Sequence, residues 1–316
     1  MAEEGWERRA LEALANDIVT ERRRARRWAI FFRFLTLAFV VIGALALFGV
    51  IGTKGQLCID KCTAIVQVEG EIDRDGRASA ENVIEGLHAA FEHPGTKGVV
   101  LLINSPGGSP VQAGQIYNEV RRLRAKHPTI PLHAVVEDMA ASGGYYIAAA
   151  ADRIYVDPAS LVGSIGVIMG SFGFVGTLEK LGMERRSYTA GENKDFLDPF
   201  VPEKPEQREH AKKMLAEIHQ QFINVVKQGR GKRLKESPDI FSGLIWTGEK
   251  SVELGLADGL GSAEYVAREV VRAEKLVDFT PEENVYELLS KRLGATFGES
   301  FTRAALNAAA ASLQPH

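Results

Sequence analysis

Ser142 lies in a stretch whose residue types could perform nucleophilic chemistry, AASGGYY at 140–146. The stretch stands between an apolar run, 132–136, and a run of small residues that is typical of a helix. A serine at a strand-to-helix turn exposes its hydroxyl, and the N–H groups of the glycines behind it face developing negative charge. The alternative interpretation is a plain turn in which the Ser142 side chain caps the helix.

Two further glycine-containing turns follow strand-like runs, NSPGGS at 104–109 and VGSIGV at 162–167. In a parallel sheet the turns after the strands lie together at the carboxyl ends, where active sites form. Each turn alone is weak evidence, because glycine pairs usually mark ordinary turns. Together with AASGGYY they predict backbone N–H groups that converge on one cleft.

A nucleophilic serine needs a base, and two solutions are open. Four histidines precede the long helix predicted at 203–228, and none stands in a motif with an aspartate: His88, His93, His127 and His133. The second solution is a lysine kept neutral by burial, although a free lysine has a pKa of about 10.4. Lys194, in GENKDFLDPF at 191–200, is a candidate that spacing alone supports only weakly.

The order of strand and helix signals predicts the elements that position these residues. Apolar, β-rich runs alternate with amphipathic runs along the chain, which favours an α/β fold around a mostly parallel sheet. The expected strands are 63–68, 98–103, 132–136 and 153–156, and the expected helices are 80–91, 111–126, 145–151, 203–228 and 247–256.

The N-terminal region predicts a membrane anchor. Residues 1–28 are polar and end in an arginine cluster, and residues 29–53 form an apolar run. This run has about the length that crosses a bilayer, roughly 20 residues. A cleavable signal peptide is less favoured, because the polar region is long and no small-residue cleavage site follows. The positive-inside rule places 1–28 in the cytoplasm and the rest on the extracytoplasmic side, the periplasm in a Gram-negative cell.

The remaining chain divides into a predicted catalytic domain, 54–280, and a helix-prone tail, 281–316, whose role the sequence leaves open. Cys58 and Cys62 could form a disulfide in an oxidising compartment or stay unpaired, and the unpaired form is slightly preferred. The next histidine along the chain is His88, so the two cysteines do not form a zinc-type motif. We therefore expect no metal and no cofactor.

Composition argues against one class of partner. The net charge is −3 at pH 7, with 45% hydrophobic and 25% charged residues. Such a balance is ordinary for a globular protein and gives no electrostatic footprint for nucleic acid. The sequence also has no phosphate-binding loop of the GxxxxGK type and no internal repeat.

Four motifs in one order resemble a known family: INSPGG at 103–108, ASGGYYIAAAADRIY at 141–155, GSIGVI at 163–168 and GENKDFLDPF at 191–200. Their combination is similar to the signal peptide peptidase A family of membrane serine proteases. The resemblance implies an α/β fold of the Clp protease and crotonase type, a repeated ββα superhelix preceded by one transmembrane helix. It also implies a serine endopeptidase with a Ser–Lys dyad that degrades cleaved signal peptides and other short hydrophobic peptides.

Matched motif by motif, Ser142 resembles the nucleophile and Lys194 resembles the general base. Ser164 resembles the serine whose hydroxyl contacts the lysine ammonium. The N–H groups of Gly108 and Gly143 resemble the oxyanion hole, with the glycine before Gly108 as an alternative donor.

Two features depart from the family pattern. Asn193 stands where the family often has an aromatic residue, and the chain has one copy of a domain that some members carry twice. A single copy implies a homo-oligomeric ring in which the lysine can come from a neighbouring protomer. The implied partners are therefore peptide substrates, membrane lipid and further copies of this chain.

Two other functions use the same features. A crotonase-like acyl-CoA enzyme would use the glycine turns for a thioester oxyanion and a glutamate such as Glu137 as acid or base. Export of the domain would, however, separate it from cytosolic coenzyme A. A membrane-anchored scaffold without catalysis would leave Ser142 as a helix cap. Labelling by a serine-directed fluorophosphonate distinguishes the protease from the scaffold.

Overall fold

A computed structural model describes four ranges of the chain, 22–24, 26–43, 58–235 and 237–281. Two compact units are distinguished, Gly55–Glu282 and a second that joins Met1–Lys54 with Glu283–His316. The tail predicted at 281–316 lies outside the described residues except for its first residue.

The N-terminal unit is described only as helix, at 22–24 and 26–43. Among the described residues no helix combines the length and the apolar character that crossing a membrane requires. The prediction of a transmembrane helix at 29–53 is therefore not supported, and its second part, 44–53, lies outside the described residues. The described stretch includes the three arginines 26, 27 and 33, and charged side chains are costly in hydrocarbon.

The unit Gly55–Glu282 is built on one sheet. Within the described residues the sheet has eight strands: β1 Cys62–Glu69, β2 Thr96–Ser105, β3 Leu132–Ala141, β4 Arg153–Val156, β5 Leu161–Gly163, β6 Ile245–Thr247, β7 Gly259–Leu260 and β8 Leu276–Asp278. The main order is β6-β5-β3-β2-β1-β8, and β4 joins β3 to β7. All pairs are parallel except β5 with β6, which makes the sheet mixed.

The strand β3 is longer than its apolar run predicts. The run ends at Val136 because two exposed carboxylates follow, yet the strand continues for five more residues to Ala141. Its outer edge is shared: residues 133–136 pair with β4, and residues 139–141 pair with β5. The backbone pairing with β5 therefore carries the chain past the carboxylates to Ser142.

The helices of this unit agree closely with the amphipathic pattern. They are α1 Ala80–Glu92, α2 Pro110–Lys126, α3 Gly143–Ala148, α4 Val175–Lys180, α5 Pro205–Arg230, α6 Gly248–Glu253 and a final helix that begins as α7 Ala263–Tyr265 and continues as a π-helix over Val266–Val271. The side chains of Ser79 and Ser109 cap α1 and α2 by accepting backbone N–H groups. Alternating strands and helices confirm the α/β class.

The two faces of the sheet are covered unequally. The helices α1, α2 and α3 contribute to a large core in which residues such as Leu87, Val120 and Ile147 are fully buried. On the other face, Val266 of the final helix packs against Tyr155 and neighbouring apolar residues in a smaller cluster. Burial of this apolar surface is the main stabilising contribution to the unit.

Cys58 and Cys62 form a disulfide, with their Cα atoms 5.7 Å apart. The slight preference for unpaired cysteines was therefore wrong. The sequence spacing alone gave no means to decide, since the approach of two sulfur atoms depends on the path of the chain before β1.

Candidate active site

Ser142 occupies the sharp turn between β3 and α3, and its backbone is strained. It has φ 51° and ψ −119°, and its N–H donates to the carbonyl of Gly163 at 2.9 Å. Its side chain makes no capping hydrogen bond to the helix, so the plain cap interpretation is wrong. A non-glycine residue with positive φ costs about 1–3 kcal/mol, and such residues concentrate at functional sites. The turn holds the Ser142 hydroxyl free for chemistry.

The turn after β2 places a second N–H group beside the serine. Gly108 forms a parallel bridge with Ile72. The hydrogen bonds of this bridge are made by the two neighbours of Gly108: the Ile72 N–H donates to the Gly107 carbonyl at 2.8 Å, and the Ser109 N–H donates to the Ile72 carbonyl at 2.7 Å. The N–H of Gly108 therefore points away from Ile72. It lies next to Gly143, 3.3 Å from the position that a Gly143 Cβ would take.

The two candidate oxyanion donors are thus neighbours. Gly143 is the first residue of α3, where backbone N–H groups have no partner within the helix. The alternative donor, the N–H of Gly107, is already engaged, because it donates to the Ser105 side-chain oxygen at 3.1 Å. This arrangement favours Gly108 and Gly143 as the pair that faces a carbonyl oxygen at Ser142.

Ser164 lies across the cleft on the chain that leaves β5. Its backbone also has positive φ, 49°, and its N–H donates to the Leu244 carbonyl at 2.8 Å. The side chains of Ser142 and Ser164 line the same cavity of about 570 Å³. The structure therefore brings together four of the five predicted site residues.

The cavity has an apolar wall. Its apolar lining residues come from the turn after β2, the helices α2 and α3, the extended chain after β5 and the middle of α5. They include Pro106, Ala113, Tyr146, Val167, Ile168, Ile218 and Phe222. An apolar cleft with a few polar groups at one end is the usual form of a binding site.

Lys194 is the predicted residue that this cavity does not contain. Within the described chain it is absent from the lining residues and lies exposed on a segment that we call the arm, residues 168–204. The Phe174 N–H donates to Pro199 O at 2.7 Å, and the Phe174 and Phe200 rings stack at 5.4 Å. The arm is thus folded on itself, with Lys194 at its surface.

The other candidate bases also lie elsewhere. Of the described residues that line the cavity, none is a histidine. His88 pairs with Glu119, whose pKa is lowered to about 2 by a hydrogen bond from Arg122 and by His88 itself. His133 is buried in β3, and burial lowers its pKa.

Glu137, the acid that a crotonase-like enzyme would need, lines a separate cavity of about 630 Å³ with Asp138 and Glu264. Burial and the neighbouring carboxylates raise its pKa. Glu137 is not among the described residues that line the Ser142 cavity, so it is not placed to act as the acid or base of a crotonase-like enzyme there.

Sequence reasoning missed the contribution of α5 to the site. Its residues Ile218 and Phe222 line the cavity, and the His219 ring nitrogen Nε2 lies 3.1 Å from the Ile165 carbonyl. The spacing of four between Ile218 and Phe222 indicated one apolar helix face, but not the surface that this face covers. His219 holds the chain after β5 against α5.

A serine at a strained turn beside the N–H groups of two glycines is an arrangement that suits acyl transfer. The α/β fold with its mixed sheet and this turn together point to a class of peptidases. Residues 124–278 match the family model of peptidase family S49, and residues 59–160 match that of Clp protease. Residues 124–278 are therefore similar to peptidase family S49, and the mixed sheet has the Clp protease-like fold.

Three relatives illustrate the extent of the similarity. A Na⁺/H⁺ antiporter NhaA of Brucella melitensis is 53% identical over 175 residues, 55% of this chain and 24% of that protein. A provisionally named signal peptide peptidase SppA of Enterococcus faecium is 33% identical over 200 residues, 63% of this chain and 58% of that protein. The chloroplastic serine protease SPPA of Arabidopsis thaliana is 31% identical over 216 residues, 67% of this chain and 32% of that protein.

The chain thus spans about a quarter of the antiporter and less than two thirds of the two peptidases. The part aligned with the antiporter is a minor share of that protein's length. The peptidase names agree with the family match and with the serine site.

Proposed function

We propose that this chain is a serine endopeptidase in which Ser142 attacks peptide bonds and Lys194 of a neighbouring copy acts as the base. One observation carries the proposal: Ser142 is strained, uncapped and beside the N–H groups of Gly108 and Gly143.

The reaction is acyl transfer in two halves. Ser142 Oγ attacks the carbonyl carbon while the neutral Lys194 amine takes the hydroxyl proton. The oxyanion is held by the N–H groups of Gly108 and Gly143, and one such donor contributes about 10²–10³ in rate. The ammonium then protonates the leaving amine, and the lysine next deprotonates the water that releases the acyl group. Ser164 would orient the lysine.

Exposure of Lys194 supports its delivery by a second copy. Enclosure of a lysine amine between two copies removes water from it, and the loss of water favours the neutral form that a general base needs. The arm also carries exposed apolar side chains, among them Ile168, Phe172 and Tyr188, which are 91%, 80% and 95% exposed. Large exposed apolar surface of this kind marks a protein contact. A ring of copies would bury it.

The substrates we propose are cleaved signal peptides and other short hydrophobic peptides. The apolar wall of the cavity supports this class, because Val167, Ile168 and Phe222 offer contacts to apolar side chains. The Cys58–Cys62 disulfide supports an extracytoplasmic location, where disulfides persist.

The test is cleavage of a hydrophobic leader peptide by detergent-solubilised protein. We expect Ser142→Ala and Lys194→Ala each to lower turnover by at least about 10³-fold, as loss of a member of such a unit does. Lys180→Ala is the matched control, since Lys180 is an exposed lysine on the same arm, and it should keep wild-type activity. Normal turnover by Lys194→Ala would exclude this lysine as the base.

Mixing the two inactive variants tests whether the lysine acts between copies. In equally mixed rings half of the subunits keep the serine and half of their neighbours keep the lysine, so about a quarter of wild-type activity should return. If the mixture stays inactive while the variants demonstrably co-assemble, both residues act within one chain.

A further inference from the structure

Far from the serine, three side chains with metal-binding atoms come together. Among the described residues, Cys58, Cys62 and His93 are the group whose ligand atoms all lie within 4.8 Å of one another. Both cysteines are buried, and His93 is half-buried. In sequence the next histidine after the cysteines is His88, and the structure brings the later one to them instead.

The turn from α1 to β2 wraps around the sulfur atoms. Cys62 N–H donates to the Gly95 carbonyl at 3.0 Å, and Gly95 N–H donates to His93 Nδ1 at 3.1 Å. A Cβ on Gly95 would collide with Cys58 Sγ, so a glycine is required for this close approach. The Nδ1 lone pair is therefore directed at the same residue that Cys58 Sγ contacts.

Phe279 completes the enclosure, because the His93 ring packs against its ring at a centroid distance of 5.4 Å. The sulfur atoms themselves form an apolar cluster with Val277. Ring orientation is thus fixed by packing before any ion binds, and a nitrogen held in position loses little freedom on binding.

The ligand set determines which ion fits. Two thiolates and one imidazole are borderline-soft ligands that suit zinc-class divalent cations, and hard cations such as magnesium prefer oxygen. Three protein ligands leave one tetrahedral position for water. The disulfide form cannot bind, because its sulfur atoms carry no thiolate charge.

We propose that Cys58, Cys62 and His93 form a redox-gated site for a zinc-class divalent cation, closed by the disulfide and opened by a dithiol reductant. The dithiol transfers two electrons and two protons to the disulfide and leaves as its own disulfide, which yields two thiols. The cation then displaces both thiol protons, accepts the Nδ1 lone pair in place of the Gly95 N–H, and joins the three residues.

The site lies at the opposite edge of the sheet from the catalytic serine. Cys62 begins β1 and Gly95 precedes β2, whereas Ser142 follows the carboxyl end of β3. A strand of eight to ten residues separates the two edges by about 25–30 Å. The cation would therefore cross-link the segment before β1 to the turn between α1 and β2, without entering the reaction.

The experiment starts from the full chain in its oxidised form. A water-soluble phosphine reduces the disulfide, consuming one water and leaving two thiols and the phosphine oxide. After removal of the phosphine, Co²⁺ is titrated and the thiolate-to-cobalt charge-transfer band is recorded. We expect one equivalent to bind after reduction, none before it, and Zn²⁺ to displace it.

Variants separate a built site from incidental thiol binding. His93→Ala should weaken Co²⁺ binding at least tenfold, since even residues that only support a ligand cost about 10–100-fold. His88→Ala, which changes a histidine within α1 that pairs with Glu119, should bind as wild type does. Circular dichroism of the reduced protein before and after Zn²⁺ follows folding.

Three results would overturn the proposal. They are a reduced protein that binds no Co²⁺, an equal band in the Cys58→Ser/Cys62→Ser double variant, and binding that is indifferent to His93→Ala. A reduced protein that unfolds and does not regain structure with Zn²⁺ contradicts it as well. Recovery of structure with one equivalent of Zn²⁺ supports it.

Discussion

The sheet core and the arm differ in how they hold their functional residue. In the core, Ser142 is fixed by a backbone hydrogen bond to Gly163 and by the turn after β2, among fully buried neighbours. In the arm, residues 168–204, Lys194 is exposed and its segment packs mainly on itself. The proposed nucleophile is thus held within one chain, whereas the proposed base lies on an exposed surface.

This difference indicates which part of the chain has to be rigid for the proposed reaction and which part only has to be brought close. An oxyanion hole contributes through donors that are already oriented, which requires a rigid core. A lysine needs only to be brought close and dehydrated, which a docking surface can do. We therefore expect core substitutions to act on stability and chemistry within one chain, and arm substitutions to act on assembly.

The largest effect should come from the buried ion pair of the core. The Arg230 side chain is 1% exposed and its Nη1 lies 2.8 Å from Asp258 Oδ2. Arg230→Met should lower the free energy of unfolding by about 2–3 kcal/mol, since Asp258 loses its buried charged hydrogen bond and keeps only the ion pair with the more exposed Arg233. Urea unfolding measures this. The control on the arm is Arg185→Met, whose pair with Asp198 is exposed and should contribute less than about 1 kcal/mol.

The same ion pair also makes the free energy of unfolding of the core depend on pH in the acid range. Burial disfavours the charged form of Asp258, but hydrogen bonds from Arg230 and the Ile154 N–H prevail and lower its pKa. A lowered folded pKa gives stability that is present above the unfolded value of about 3.9 and is lost as pH falls through the folded value. Asp258→Asn should be less stable than wild type at neutral pH, with a difference that narrows below about pH 4. A constant difference would contradict this assignment.

Next in size is the oxyanion turn. Gly108 has φ 146°, and an added Cβ would meet the backbone of Ile72, with its N at 2.8 Å. Gly108→Ala should shift the turn and lower turnover by about 10²–10³-fold. Gly114→Ala is the matched control, because nothing lies within 4 Å of its Cβ position in α2. Equal kinetics of Gly108→Ala and wild type would remove Gly108 from the oxyanion hole.

The strain at Ser142 predicts a smaller gain in stability. Ser142→Gly relieves the positive φ and should raise the free energy of unfolding by about 1 kcal/mol while abolishing activity. Ser142→Ala keeps the Cβ and the strain, so it should abolish activity without the gain. Thermal unfolding of both variants side by side measures this difference, and equal stabilities would show that the turn is not strained.

The smallest effect on stability should come from the arm. Phe172→Ser and Tyr188→Ser change side chains that are 80% and 95% exposed, so each should alter monomer stability by less than about 0.5 kcal/mol. Sedimentation should nevertheless show weaker self-association, and activity should fall with it. A fully associated and active double variant would place the contact between copies elsewhere.

Much of the fold could be predicted from the sequence. The strand at 153–156 and the helices α1 and α2 match their predicted ranges closely, because each has a clear apolar period and, for the helices, a serine cap. The extension of β3 to Ala141 was not predicted, since Glu137 and Asp138 interrupt the apolar pattern. Pairing with β5 compensates for that interruption, and pairing is a property of the whole sheet.

By itself the sequence determined the α/β alternation, the candidate Ser142 and the glycine turns that accompany it, because these depend on local conformational preferences and on spacing along the chain. Only the tertiary structure decided that Ser142 is uncapped, that Lys194 lies outside its cavity, and that His93 rather than His88 joins the two cysteines. Each of these depends on how distant segments meet. A contact between segments that are far apart in sequence produces no periodic pattern or fixed spacing from which it could be predicted.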